Sequence, residues 1–167
     1  GFSSALGWRE GGMTDRALAE TDPALIEDLV DANRILYRLG VVDGFGHVSA
    51  RQPGDPSRFI ISRSMAPALV TAADLMAIHL NGRPVSDNAP TPYLERFIHG
   101  EIYAARPDVV AIVHSHSAAI IPFTIVPEAT LRPVSHMGGF IGDGAPVFEI
   151  RDTAGPDSDM LVRTPEL

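Results

Sequence analysis

The chain has 167 residues, 45% of them hydrophobic, with a formal net charge of -8 and no cysteine. A domain of this length buries about two thirds of its unfolded surface, so one hydrophobic core is expected, and disulfides and thiolate chemistry are excluded. The 13 basic residues are dispersed among 21 acidic ones, which argues against a nucleic-acid or anionic-membrane partner.

Residues 1–12, GFSSALGWREGG, show no period and read as a flexible arm or an expression remnant, with Met13-Thr14-Asp15 as a natural start. A single domain is expected over 13–167. Its end, LVRTPEL, looks like the opening of a helix with Pro165 in the first turn, so the domain is expected to continue beyond Leu167. No apolar run approaches the ~18 residues of a membrane span, and no basic-then-hydrophobic leader is present. A soluble, cytoplasmic protein is the expectation.

Asp22-Pro23 signals a helix start, and Leu25, Ile26, Leu29, Val30, Leu36 and Leu39 recur at a helical period until Gly40. Between Val41 and Val85 the pieces GHVSAR, RFIISRS and MAIHL, separated by PGDP and NGRP turns, predict an antiparallel meander. Thr91-Pro92 opens a second predicted helix, with Leu94, Ile98, Ile102 and Ala105 on one stripe and Arg106-Pro107 at its end. Residues 109–116 read as a strand, and FTIV, LRPVSHMGGFIG and APVFEI as further strand-like pieces. Two helices and about seven strands in clusters predict an α/β fold with helices packed on a mixed or antiparallel sheet.

The strand VVAIVHSHS ends in His114, Ser115 and His116. Alternate strand side chains share a face, so the two imidazoles project together ~6.6 Å apart along the backbone while Ser115 points away. Such a pair can converge on one ion, although an isolated His-x-His is equally the pattern of two hydrogen-bonded or surface histidines. Glu95 and His99 lie four residues apart on the preceding helix, so a carboxylate there is either a further ligand, a proton-transfer base, or part of a solvated face with Arg96 and Glu101. His47, Ser49, Ser62, Arg63 and Ser64 lie on glycine- and serine-rich turns suited to an anionic substrate group, or to ordinary turn chemistry. His136 precedes two glycines, and His79 reads as structural.

Taken in order, GHVSAR and LERFIHGEIYAARPDVVAIVHSHS resemble the class II aldolase/adducin family, from about Ala24 to at least Phe148. The resemblance implies a single three-layer α/β/α domain around a mainly antiparallel sheet, in a homotetramer with active sites at subunit interfaces. It places His114 and His116 on the metal-binding His-x-His and Glu95 on the acid/base carboxylate that can also touch the metal. The family's third histidine ligand belongs to a downstream His-Gly segment that these residues do not reach. Sugar-phosphate aldolases of the family carry Gly-Asn, Ser-Gly and two small hydroxyl residues around the substrate phosphate. Here Gly46-His47, Ser64-Met65 beside Arg63, and Tyr93-Leu94 stand instead, so the phosphate cradle is rewritten.

A guanidinium and an imidazole match a carboxylate better than a polyol phosphate. His136 falls about where some aldolases place a tyrosine proton donor that reaches a neighbouring subunit's site. The wording of SRSMAPALVT, YLERFIHGEIY and RPVSHMGGF is most similar to the decarboxylase branch, which handles acids such as 2-hydroxy-3-carboxymuconate semialdehyde or 3,4-dihydroxyphthalate. The implied function is a lyase that breaks a C–C bond through an enolate stabilised by a divalent ion. Zinc suits imidazole ligands, with manganese, cobalt or iron compatible. The alternatives are an aldolase acting on a hydroxy-oxo substrate, phosphorylated or not, and an adducin-like interaction domain without activity.

Overall fold

The structure, a computed structural model, describes residues 18, 20–126 and 128–167; the arm expected at 1–12 and the start expected at Met13 lie outside them. Helix α1 (Pro23–Arg38) begins where the sequence signals it. The Asp22 carboxylate accepts the Ala24 N–H at 3.0 Å, and Pro23, which has no N–H to satisfy, occupies the first turn. The chain leaves the helix through Gly40 at φ 67°, a left-handed conformation that glycine adopts without steric cost.

Strands β1 (His47–Arg51), β2 (Arg58–Ser62) and β3 (Leu75–His79) form the expected antiparallel meander. After helix α2 (Arg96–Ala105), strand β4 (Ala111–His114) returns antiparallel to β1, giving the order β3-β2-β1-β4. Side-chain alternation divides the core in two. Val48, Ala50, Ile60 and Leu75 pack with Leu29 and Val30 of α1 on one face. Phe59, Ile61, Met76 and Ile78 pack with Tyr93 and with Tyr103 of α2 on the other. The sheet is therefore sandwiched between the two helices, as expected of an α/β/α domain.

Helix α2 starts at Arg96, not at Thr91. The segment before it is held extended: Ser64 N–H donates to the Thr91 carbonyl, and the buried Tyr93 side chain hydrogen-bonds the Met65 carbonyl and the Ser62 hydroxyl. Glu95 is consequently the residue that caps α2 rather than one on its flank. The helix lies unusually close to the turn after β3. A Cβ at Gly100 would stand 2.1 Å from the Leu80 carbonyl oxygen, so only glycine permits this approach.

The strands expected after residue 120 are not formed. Pro122–Ile125 is a short helix, α3; His136–Ile141 is a 3-10 turn; APVFEI is irregular and leads into α4 (Arg151–Ala154). Four strands are present among the described residues rather than about seven. An apolar β-type pattern becomes a strand only where a neighbour supplies ladder hydrogen bonds. No described strand pairs with the outer edge of β4, and Val134, Phe140, Val147 and Phe148 remain exposed.

Candidate functional site

The candidate site forms where β1 begins, β4 ends and α2 begins. The antiparallel register sets His47 directly opposite His114. Cross-strand partners point to the same face, and the two rings stack with centroids 4.5 Å apart and planes 13° from parallel. Gly46 allows this closeness, because a Cβ there would meet the Val42 side chain at 2.6 Å and the His114 carbonyl oxygen at 3.0 Å.

His116 lies beyond the last residue of β4, yet its ring turns back so that His116 Nε2 is 2.9 Å from His114 Nε2. The Ser115 hydroxyl points the other way and donates to the Val41 carbonyl, which pins the turn to the loop before β1. In that loop Asp43 Oδ1 accepts the N–H groups of Phe45 and Gly46, each at 2.9 Å, while Oδ2 stands 3.4 Å from His116 Nδ1. A carboxylate beside Nδ1 favours the tautomer that leaves Nε2 with its lone pair.

Glu95 reaches the same point from the start of α2. Its Oε2 is 3.5 Å from His114 Nε2, and its Oε1 accepts the Val162 N–H at 3.4 Å. Ligand atoms of His47, Glu95 and His114 all lie within 4.8 Å of one another. Burial holds the His114 ring below the ordinary imidazole range despite the carboxylate beside it. With His116 Nε2 at 2.9 Å and Glu95 Oε2 at 3.5 Å from His114 Nε2, two imidazoles and a carboxylate offer a donor set that fits a divalent ion.

Beneath the cluster a buried polar ladder joins β1 to α2. Residues two apart on a strand and four apart on a helix are spaced alike, ~6–7 Å, so His47 and Ser49 mesh with His99 and Tyr103. His47 Nδ1 is 2.7 Å from His99 Nε2, His99 Nδ1 is 2.6 Å from Ser49 Oγ, and Ser49 Oγ is 2.9 Å from the Tyr103 hydroxyl. All four residues are buried. Burial, reinforced by the rings of His99, His114 and His116, pushes His47 down to about 2; burial together with His114 takes His99 to about 3. Burial also pushes the Tyr103 hydroxyl up to about 12, against the Ser49 hydrogen bond and the Arg51 guanidinium, which lies 4.6 Å over its ring.

The expected substrate-binding residues therefore separate. Ser49 is wholly buried and engaged by His99 and Tyr103, beneath the cluster. His47 belongs to the cluster itself. Arg63 is partly exposed, with its Nε donating to Asp74 Oδ1 at 2.7 Å, and Ser64 beside it is exposed. His136, on the exposed 3-10 turn, makes no hydrogen bond, ion pair or ring contact with the cluster among the described residues. His79 ends β3, away from the cluster. Asp43 and the roles of His99 and Tyr103 escape sequence reading; the signal was the strand spacing of His47 and Ser49 set against the helical spacing of His99 and Tyr103.

A cavity of about 760 Å³ lies elsewhere, among Phe123, Ile125, Leu131, Phe148 and Met160. It contains none of the cluster residues, and its charged pair, Glu149 and Arg151, is closed on itself at 2.6 Å. The convergent donors, not this apolar space, mark the candidate site.

The sequence profile of the Class II Aldolase and Adducin N-terminal domain matches residues 27–162. Decarboxylase tropJ of Talaromyces stipitatus is 37% identical over 146 residues, which covers 85% of this chain and 54% of that protein. Methylthioribulose-1-phosphate dehydratase of Gluconacetobacter diazotrophicus is 33% identical over 106 residues, 61% of this chain and 50% of that one. The solved L-fuculose 1-phosphate aldolase from Glaciozyma antarctica PI12 superposes with a TM-score of 0.57 at 28% identity, over 66% of this chain and 47% of that chain. The chain thus spans about half the length of these relatives.

Proposed function

The chain belongs to the class II aldolase and adducin N-terminal domain family, and on that premise we propose that it is a metal-dependent carbon–carbon lyase that decarboxylates a hydroxy or oxo acid of aromatic catabolism. The observation that carries this reading is that His114 Nε2 meets both Glu95 Oε2, at 3.5 Å, and His116 Nε2, at 2.9 Å, at the junction of β1, β4 and α2. His114 and His116 through Nε2, with the Glu95 carboxylate, would hold the ion; zinc suits this set, and manganese, cobalt and iron are compatible. Bound there, the ion supplies a Lewis acid that stabilises negative charge on an oxygen next to the breaking bond.

The chain's own residues do the rest. Arg63, held through Nε by Asp74, offers its remaining guanidinium N–H groups to a substrate carboxylate, with the exposed Ser64 beside it. Loss of carbon dioxide leaves the bonding electron pair on the adjacent carbon, which then takes up a proton. Glu95, 3.5 Å from His114, would hold that proton within the cluster. His136 is the alternative donor, contributed by a neighbouring copy in a homotetramer with shared sites. Among the described residues no helix is long and apolar enough to cross a membrane, in keeping with a cytoplasmic enzyme.

The name of the 37% identical relative, a decarboxylase, supports carbon dioxide as the leaving group. The aldolase that superposes on this chain supports a second reading, cleavage to an aldehyde. The test is incubation of the purified, metal-loaded protein with ring-cleavage and phthalate-type hydroxy or oxo acids. Carbon dioxide without aldehyde supports decarboxylation, aldehyde without carbon dioxide supports the aldolase, and neither product together with no metal uptake supports an adducin-like interaction domain.

A further inference from the structure

His47 sits in the cluster with Glu95 and His114, and its distances alone make it a fourth candidate ligand. The buried ladder behind it decides otherwise. Tyr103 and Ser49 each carry one hydroxyl hydrogen, and a neutral imidazole carries one N–H, so the four residues bring four hydrogens to three links. One hydrogen is left over: it stands at one end of the chain, or on Ser49 Oγ if that oxygen accepts from both His99 and Tyr103, where, wholly buried between those two partners, it would lack an acceptor.

If the links run from His47 towards Tyr103, the spare hydrogen is the Tyr103 hydroxyl's. That hydroxyl has Ser49 Oγ as its one hydrogen-bond partner among the described residues, and Tyr103 is only 1% exposed. Its hydrogen would be buried without an acceptor, which native interiors avoid. If the links run the other way, every hydrogen is used. Tyr103 donates to Ser49, Ser49 donates to His99 Nδ1, and His99 Nε2–H donates to His47 Nδ1. The spare hydrogen is then on His47 Nε2, the nitrogen left for the cluster.

We propose that His47 is a fixed hydrogen-bond donor rather than a metal ligand, presenting Nε2–H to a substrate oxygen beside Glu95 and His114, with His99, Ser49 and Tyr103 as the positioning residues that set its tautomer. A nitrogen that carries a hydrogen has no lone pair for an ion. The contrast with His116 is direct, because there Asp43 lies at Nδ1 and frees Nε2. The oxygen assigned to it rests on the lyase reading above; the tautomer does not.

The test uses histidine-labelled, metal-free protein and long-range proton–nitrogen correlation spectra. Both His47 and His99 are expected in the Nε2–H form. Tyr103→Phe removes the hydrogen that sets the direction, so His47 shifts towards a tautomer mixture while the melting curve and zinc affinity stay close to those of the parent. In His47→Gln, which keeps an N–H donor, zinc affinity read by calorimetry changes by less than about threefold, whereas loss of a true ligand or of its support costs about tenfold or more. An Nδ1–H tautomer for His47 in the parent protein, or a tenfold loss of zinc affinity in folded His47→Gln, overturns the proposal. Should His47→Gln fail to fold, the spectra of the parent protein still decide it. Absence of C–C cleavage would sink the lyase reading and leave the tautomer result untouched.

Discussion

His47 Nδ1 and His99 Nε2 meet at 2.7 Å across the interface between β1 and α2, with both rings buried. A hydrogen bond between two neutral imidazoles is directional, and it ties the cluster to the helix that also presents Glu95. Replacing His99 by leucine strands His47 Nδ1 in the core without its partner and leaves Ser49 Oγ with Tyr103 alone. We expect His99→Leu to lower unfolding stability by about 2–4 kcal/mol, read from urea denaturation. A loss below about 0.5 kcal/mol, the range of an ordinary surface change, would contradict the ladder.

Asp43→Asn tests how His116 is oriented. The amide oxygen can still accept the Phe45 and Gly46 N–H groups, but the charge beside His116 Nδ1 is gone. Zinc affinity should fall about 10–100-fold with little change in melting temperature, as is usual when a ligand's outer partner is removed. Unchanged affinity would mean that His116 is not held as a ligand.

Gly100→Ala probes the approach of α2 to the sheet. The new methyl would stand 2.1 Å from the Leu80 carbonyl oxygen, which is backbone and cannot swing aside. We expect a loss of about 1–3 kcal/mol from overpacking, accompanied by weaker metal binding because Glu95 and His99 ride on the same helix. A fully stable variant would show that the helix is free to shift.

These residues also show what the sequence made legible. Asp22-Pro23 and Gly40 bounded α1 correctly, and the turns PGDP and NGRP placed the meander, because both signals are local. His114, His116 and Glu95 were legible as a set through the family resemblance, and their convergence required the β1–β4 register that no local rule supplies. The start of α2 was misplaced because Tyr93 is drawn into the core, a tertiary demand that outweighs the helix-start signal of Thr91-Pro92. Pieces such as APVFEI read as strands because pattern alone cannot reveal that no partner strand lies beside them. That the Ser49 hydroxyl meets His99 and Tyr103 is not legible, because a hydroxyl's direction depends on which face of β1 meets α2.

The Arg63–Asp74 pair carries a pH signature. Desolvation works to raise the Asp74 pKa, but hydrogen bonds from Thr71 and Arg63 outweigh it and hold the carboxyl below its usual range. A carboxylate whose folded pKa is depressed adds stability above its unfolded value, and that stability is lost as pH falls through the folded value. Asp74→Asn should therefore be less stable than the parent near neutrality, by about 1 kcal/mol for the charge and the second acceptor oxygen it takes from Thr71 and Arg63, with the gap narrowing in acid. A gap independent of pH would show that the charge of Asp74 has no part in it.

We propose that Glu95, His114 and His116 hold an ion on which C–C cleavage depends. It is tested most directly by carbon dioxide release from a responsive hydroxy or oxo acid, measured for the parent and for His114→Ala after chelator stripping and again after zinc or manganese is restored. Stripping should silence the parent, the metal should restore it, and His114→Ala, folded by its melting curve, should stay silent in both conditions. Full turnover by stripped His114→Ala would contradict it.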